Sequence, residues 1–358
     1  MKHIKLSFLL LTIALAGSLA SCHKDKMVNN QGTPKAERAG LYVLDQGTFS
    51  TPNSALTYYD YTTKNLIPDI FSSVNGQGLG NTANDAKIYG SKMYIVVDKS
   101  GTVDVINAKT AKLIKQVPFL NNDQNKTSQE PRDIAFYNGK AFISLYNGTV
   151  AVIDTTTFAV SKTITVGRNP EQLAVANGKL YVANGGGLSY PDVDSTLSVI
   201  DLNTLAVTKT INVGPNPYAV SVDSYGDVFV TAYGVYPTSN SSLTVVDSKT
   251  DAVTSRKDFT GGPFSINGDN AFYIDIDGKV KIFNVKSLTT TNTNFITDGT
   301  AITTPYTIAT DPLSGEVFVT DAKDYNSDGL IYAFDKTGKK EYSITVGINP
   351  GTIVFVNK

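Results

Sequence analysis

Residues 166–175 read VGRNPEQLAV, and close copies return as VGPNPYAVSV at 213–222 and VGINPGTIVF at 346–355. In each copy Val-Gly-x-Asn-Pro is followed by an apolar, strand-like run. The residue just after the proline changes each time: Glu171, Tyr218, Gly351. The constant part reads as scaffold, and the variable part is where function is to be sought.

The motif belongs to a longer period. Prolines 131, 170, 217, 263, 305 and 350 each precede an apolar run, at spacings of 39, 47, 46, 42 and 45 residues. ANDAKIYGSKMYIVV matches PRDIAFYNGKAFISL in pattern, so Ala83 takes the first position, 48 residues before Pro131. Two further motifs recur seven times with it. One is an aromatic, β-branched strand: YVLD, YIVV, FISL, YVAN, FVTA, YIDI and FVTD. The other alternates and ends in Asp or Asn before a turn, as in VAVIDTTT and LSVIDLNT. Each unit is therefore four short strands: A after the proline, B aromatic, C ending in Asp/Asn, and an outer D. Short strands with turn chemistry at this interval specify a propeller blade.

The count closes the ring. After Pro350 only one strand remains, and the chain from Gly40 begins with a B strand. The last blade is expected to join strand A from the C-terminus to B, C and D from the N-terminus, which leaves no open edge. The fold class is all-β: a seven-bladed β-propeller over residues 40–358, four antiparallel strands per blade. The strand-B aromatics read as core. The Asp/Asn residues ending strand C, Asp154 and Asp201 among them, read as turn formers rather than catalytic acids. Gly in VG reads as loosening the exit from strand D, and Asn-Pro as ending one pairing before the crossing to the next inner strand.

Residues 1–22 read as a signal peptide: Lys2 and Lys5, an apolar run over 6–20 too short for a comfortable span, then LASC. Leu-small-small-Cys resembles a bacterial lipobox, which makes Cys22, the only cysteine, the lipidated first residue of the mature chain. Residues 23–39 are polar and read as a flexible tether. With one cysteine, no disulfide can form within the chain. A formal net charge of −1 and no basic stripe argue against a nucleic-acid partner.

YVAN together with VGRNPEQLAV resembles the YVTN family of surface-layer-type β-propellers. More narrowly, LYVLDQGTF, NGQGLGNTAND and GEVFVTDAKDYNSDGLIYAF resemble propeller lipoproteins on the surface of gut Bacteroidetes. Some of those capture cobalamin and pass it to an outer-membrane transporter. The resemblance implies an outer-membrane, cell-surface lipoprotein whose leading ligand is a corrinoid.

Loop lengths point to one face. The A–B and C–D turns are short throughout. On the other face four B–C loops are long, at 46–54, 185–195, 233–242 and 322–329. Loops on a rigid scaffold are where binding concentrates. The post-proline residues should ring the channel mouth there: Asn84, Arg132, Glu171, Tyr218, Phe264, Tyr306 and Gly351. The long loops add Phe49, Tyr190, Tyr233, Tyr236 and Tyr325. An aromatic floor with a few polar groups suits a large flat ligand, and equally a sugar ring or a protein partner.

Both histidines, His3 and His23, precede the propeller, which removes His-based triads and histidine-bound metals. No enzyme activity and no cofactor are expected. Asp324, Asn326, Asp328 and Gly329 match the start of a calcium loop, with Asp335 at its twelfth position, but Asp335 is also the strand-C turn residue. Two functions stay open on the residues alone: ligand capture, and a surface adhesion or scaffold propeller that binds protein or polysaccharide.

Overall fold

The computed structural model describes residues 37–49 and 51–358. The signal segment, Cys22 and nearly all of the tether lie outside the described residues.

Seven four-stranded antiparallel sheets form the blades. Blades 1 to 6 follow in chain order, with inner strands Ala83–Tyr89, Pro131–Tyr137, Pro170–Ala176, Pro217–Val222, Ser265–Asn267 and Pro305–Thr310. Blade 7 closes the ring as expected. Its inner strand Pro350–Asn357 pairs with Arg38–Asp45, followed by Ala55–Asp60 and Leu66–Ile67. The first strand starts at Arg38, two residues before Gly40, because Arg38 is itself part of the closure. Its guanidinium meets buried Asp311 at 2.6 Å and also donates to Asn357. Asp311 opens the A–B turn of blade 6, so the chain enters on the short-turn face.

The strand-B aromatics are core. Tyr42, Tyr94, Phe142, Tyr181, Phe229, Tyr273 and Phe318 are all buried between blades. The strand-C turn residues behave as read. Asp154 accepts from the amides of Thr156 and Thr157 at 2.9 and 2.8 Å. Asp201 does the same with Asn203 and Thr204. These amides hold both carboxyls below the usual range.

The repeated Asn-Pro has a tertiary role. Asn169, Asn216 and Asn349 all sit at positive φ, where Asn is tolerated better than most residues. The Asn169 amide donates to the Tyr146 carbonyl, and the Asn349 amide to the Gly47 and Tyr325 carbonyls. Asn169 thus ties down the B–C loop of blade 2, and Asn349 those of blades 7 and 6. The preceding glycine serves close approach more than looseness. A Cβ at Gly167 would lie 2.6 Å from the Asn184 side chain, and one at Gly347 2.7 Å from Asp45.

A short helix and a single 3₁₀ turn, Gly187–Ser189, depart from the all-strand expectation. Ile70–Asn75 is a short helix, capped by Asp69 accepting from the Ser72 amide at 3.2 Å. Blade 7's outer strand has only two residues, and the helix packs fully buried Phe71 into the core between blades 7 and 1. Asn75 fastens it to blade 1 through the Ala111 carbonyl and the Leu113 amide.

Candidate functional site

A repeated backbone device builds the channel mouth. In blades 1, 2, 3, 4 and 6 the inner strand breaks register just after its first residue, and blade 7 does so at the matching point. Proline offers no N–H at that spot, and a bulge there re-aims the next side chains. Two successive residues then reach the channel: Asn84 and Asp85, Arg132 and Asp133, Glu171 and Gln172, Tyr306 and Thr307, Gly351 and Thr352. With Gln46, Tyr218, Tyr233 and Pro263 they enclose a cavity of about 340 Å³ on the long-loop face.

Its two halves differ in chemistry. In blades 1 to 3, Arg132 lies between Asp98 at 2.6 Å and Glu171 at 3.2 Å, with its guanidinium 4.6 Å from the Tyr146 ring centre. The Tyr146 hydroxyl donates to Glu171. Burial pushes the Asp98 carboxyl up, against the pull of Arg132. Below them Lys87 bridges Asp133 at 2.6 Å and Asp85 at 3.1 Å, and donates to the Ile134 carbonyl. Burial raises the Asp85 carboxyl far above its usual range, and Asp133 adds to this against Lys87. Burial acts upward on Asp133 too, but Lys87, Asp85 and the Leu173 amide outweigh it and hold that carboxyl low.

In blades 4 and 6 the wall is aromatic. Tyr218 and Tyr233 stack with ring centres 3.8 Å apart and planes 9° from parallel. Tyr306 donates to the Gln46 side chain at 2.6 Å and meets Tyr325 edge-on at 6.1 Å. Tyr233 and Tyr325 remain more than half exposed.

Arg132, Glu171, Tyr218, Tyr233 and Tyr306 thus come together as expected, with Tyr325 at their edge. Three others stand on the rim instead. Tyr190 donates to the Tyr236 carbonyl at 3.1 Å, and both rings are exposed. Phe49 is exposed beside the Lys99 ammonium. Phe264 is a correction. It is 9% exposed and packs on Phe229, Phe259 and Phe283 between blades 4 and 5. The inner strand of blade 5 starts only at Ser265 and pairs without a bulge, so nothing turns Phe264 to the channel. Pro263 lines the mouth in its place.

The DYNSDG stretch forms a polar loop tip, the other reading of its motif. Asp324 spends its carboxylate on the amides of Asn326 and Ser327 and on the Ser327 hydroxyl. Asn326 donates to the Asp324 carbonyl, and Asp328 is exposed. Asp335 lies at the far end of strand Leu330–Phe334, where it holds its own turn. Among the described residues no group of three or more His, Cys, Asp or Glu could hold a metal ion.

Sequence reasoning missed a second ring: Gln46, Asp98, Tyr146 and Tyr233 each follow the strand-B residue that faces the repeat proline or Ala83. Among these the sequence pattern names only Tyr233 as a site residue, and for its loop. Gln46 fills the place that Gly351 leaves open, since a Cβ there would lie 2.6 Å from its amide. The other end of the channel is wider, about 680 Å³, and largely apolar, with Ala86, Ala135, Leu173 and Val220 among its walls. A groove of about 590 Å³ between blades 2 and 3 reaches Tyr146 from the rim.

A family model described as a domain of unknown function, DUF5074, matches residues 39–356. The chain belongs to the DUF5074 family. No curated protein sequence matches this DUF5074 chain. Among solved structures it is similar to a quinonprotein alcohol dehydrogenase-like protein from Bacteroides thetaiotaomicron, with 16% identity over 89% of this chain and 78% of that one, at a TM-score of 0.63. It is similar to the computationally designed Ika8 protein, with 14% identity over 90% and 98% of the two chains and a TM-score of 0.56. It also resembles Kuenenia stuttgartiensis hydrazine synthase, with 16% identity over 69% and 74% and a TM-score of 0.50. At such identities the likeness shows the propeller fold alone.

Proposed function

We propose that this DUF5074 protein is a non-enzymatic, lipid-anchored binding protein of the outer-membrane surface. It captures a ligand at the long-loop mouth and hands it to a transporter in the same membrane. The observation that carries the reading is the half-exposed Tyr218–Tyr233 stack facing the polar wall of Arg132 and Glu171. A concave site with an apolar platform and a few orienting polar groups is built for binding. The carboxylates of the mouth are engaged with Lys87 and Arg132, and the propeller contains no histidine, which supports binding over hydrolysis. LASC supports the lipid anchor.

The leading ligand is a corrinoid, on the resemblance of LYVLDQGTF and NGQGLGNTAND. A cavity of about 340 Å³ holds an edge of so large a ligand, with the rest lying across the rim. The exposed rings of Tyr190 and Tyr236 favour a second reading, a surface adhesion or scaffold propeller for polysaccharide or protein.

Calorimetric titration of the protein with cobalamin is the test. Saturable one-to-one binding that weakens at least about tenfold in Tyr218→Ala is expected. Flat heats at high concentration would remove the corrinoid, and retention on a polysaccharide matrix would then favour the second reading.

A further inference from the structure

The ion pairs of the two faces follow different rules. On the short-turn face each cation has one acid: Arg38 with Asp311, Lys179 with Asp251, Lys286 with Asp269, Lys358 with Glu37. On the long-loop side and in its channel, four cations each have two. Lys87 has Asp85 and Asp133, and Arg132 has Asp98 and Glu171. Arg168 has Asp192 and Asp194, and Lys281 has Asp275 and Asp277. Lys99 with Glu130 is the one-to-one exception there. In these four clusters four bases meet eight acids, although the whole chain carries a formal charge of only −1.

The consequence for the mouth is direct. An anionic ligand needs a cation with unused capacity, and Arg132, the cation lining the mouth, is already shared between two carboxyls, as Lys87 is deeper in the channel. The arginine trio keeps one carboxylate in excess, and Asp98, 2% exposed, has an Oδ1 with no partner among the described residues. Facing that excess are the stacked rings of Tyr218 and Tyr233, and ring faces attract cations. The outer doubles at Arg168 and Lys281 extend the field of the same sign over the face, which raises the local concentration of cations.

We propose that the mouth selects a ligand carrying positive charge on or beside a flat, partly apolar body, and rejects anions of the same shape. This rests on the capture reading above and adds to it the sign of the ligand's charge.

Two flat bicyclic probes of opposite charge test it by calorimetry: the 1-methylquinolinium cation and the naphthalene-2-sulfonate anion. The cation is expected to bind at least about tenfold more tightly, and to weaken several-fold between low and about 0.5 M salt. Glu171→Gln should cut the cation's advantage about threefold or more. Asp277→Asn, at a partly exposed site outside the mouth, should reduce the salt dependence with little loss of affinity. The proposal is overturned if the anion binds as tightly, if salt and Glu171→Gln leave the ratio unchanged, or if neither probe binds. Cobalamin binding without probe binding would end the charge rule and leave capture standing. Quinolinium binding without cobalamin binding would remove the corrinoid as ligand and leave both capture and the charge rule standing.

Discussion

The charged and aromatic halves of the mouth occupy equivalent positions of one repeat, yet they are held in opposite ways. Around Arg132 each group is fixed by another's charge. Around Tyr218 each ring is fixed by stacking, with a face left exposed. A buried ion cluster tolerates little removal, because a stranded charge stays buried. A stacked ring at a wet mouth can be removed at modest cost to stability. The charged half therefore reads as framework that also sets a potential, and the aromatic half as contact surface.

The strongest attempt to break this contrast is Arg132→Met. It strands Asp98, whose side chain is 3% exposed, beside Glu171. A loss of about 3–5 kcal/mol in chemical denaturation is expected. A loss below about 1 kcal/mol would make the cluster peripheral.

The next effect concerns the position under Gln46. Asp45 ends strand B of blade 7, where blade 3 has Asn184. Asn184 accepts from the Gly167 amide at 3.1 Å and donates to Ser198 at 2.9 Å. Asp45 accepts from Thr57 at 2.7 Å, but its Oδ1 has no partner among the described residues. Burial pushes its carboxyl up to about 8 from 3.8. A carboxyl raised on folding contributes stability that is complete below its unfolded value and is lost as pH rises toward the folded one. Stability should thus decline between about pH 4 and 8 through this group. Asp45→Asn should remove that slope and add about 1–3 kcal/mol at pH 8. Denaturation midpoints across pH for both proteins check it, and parallel curves would contradict it.

The smallest effect is expected in the aromatic half. Tyr233→Ala removes one ring of the stack and should cost only about 0.5–1.5 kcal/mol of stability, while ligand affinity falls much further. Equal losses in both would place Tyr233 in the framework.

Much of this is legible in the sequence. Seven repeat positions, seven aromatic strands and an unpaired last strand determine blade number and closure. The post-proline ring was also legible, because the position is defined by the motif. It failed at Phe264 for a local reason: GGPF delays the strand by two residues and removes the bulge, and spacing alone does not report a bulge. The second ring was readable in principle, since the strand-B residue opposite each proline determines register, and Gln46, Asp98 and Tyr146 come next. The lysine bridge from Asp85 to Asp133 joins neighbouring blades, so matching ANDAKIY to PRDIAFY aligned the two acids without showing that one ammonium lies between them. The ties from Asn169 and Asn349 to neighbouring loops are likewise tertiary, which is why the constancy of Asn-Pro looked like turn chemistry.

The central claim is that the two-sided mouth is where ligand binds. Hydrogen–deuterium exchange of the protein with and without cobalamin tests it most directly. The account predicts protection confined to the mouth segments around Gln46, Arg132, Glu171, Tyr218, Tyr233 and Tyr306. Protection on the short-turn face or the outer strands, or none at saturating cobalamin, would contradict it.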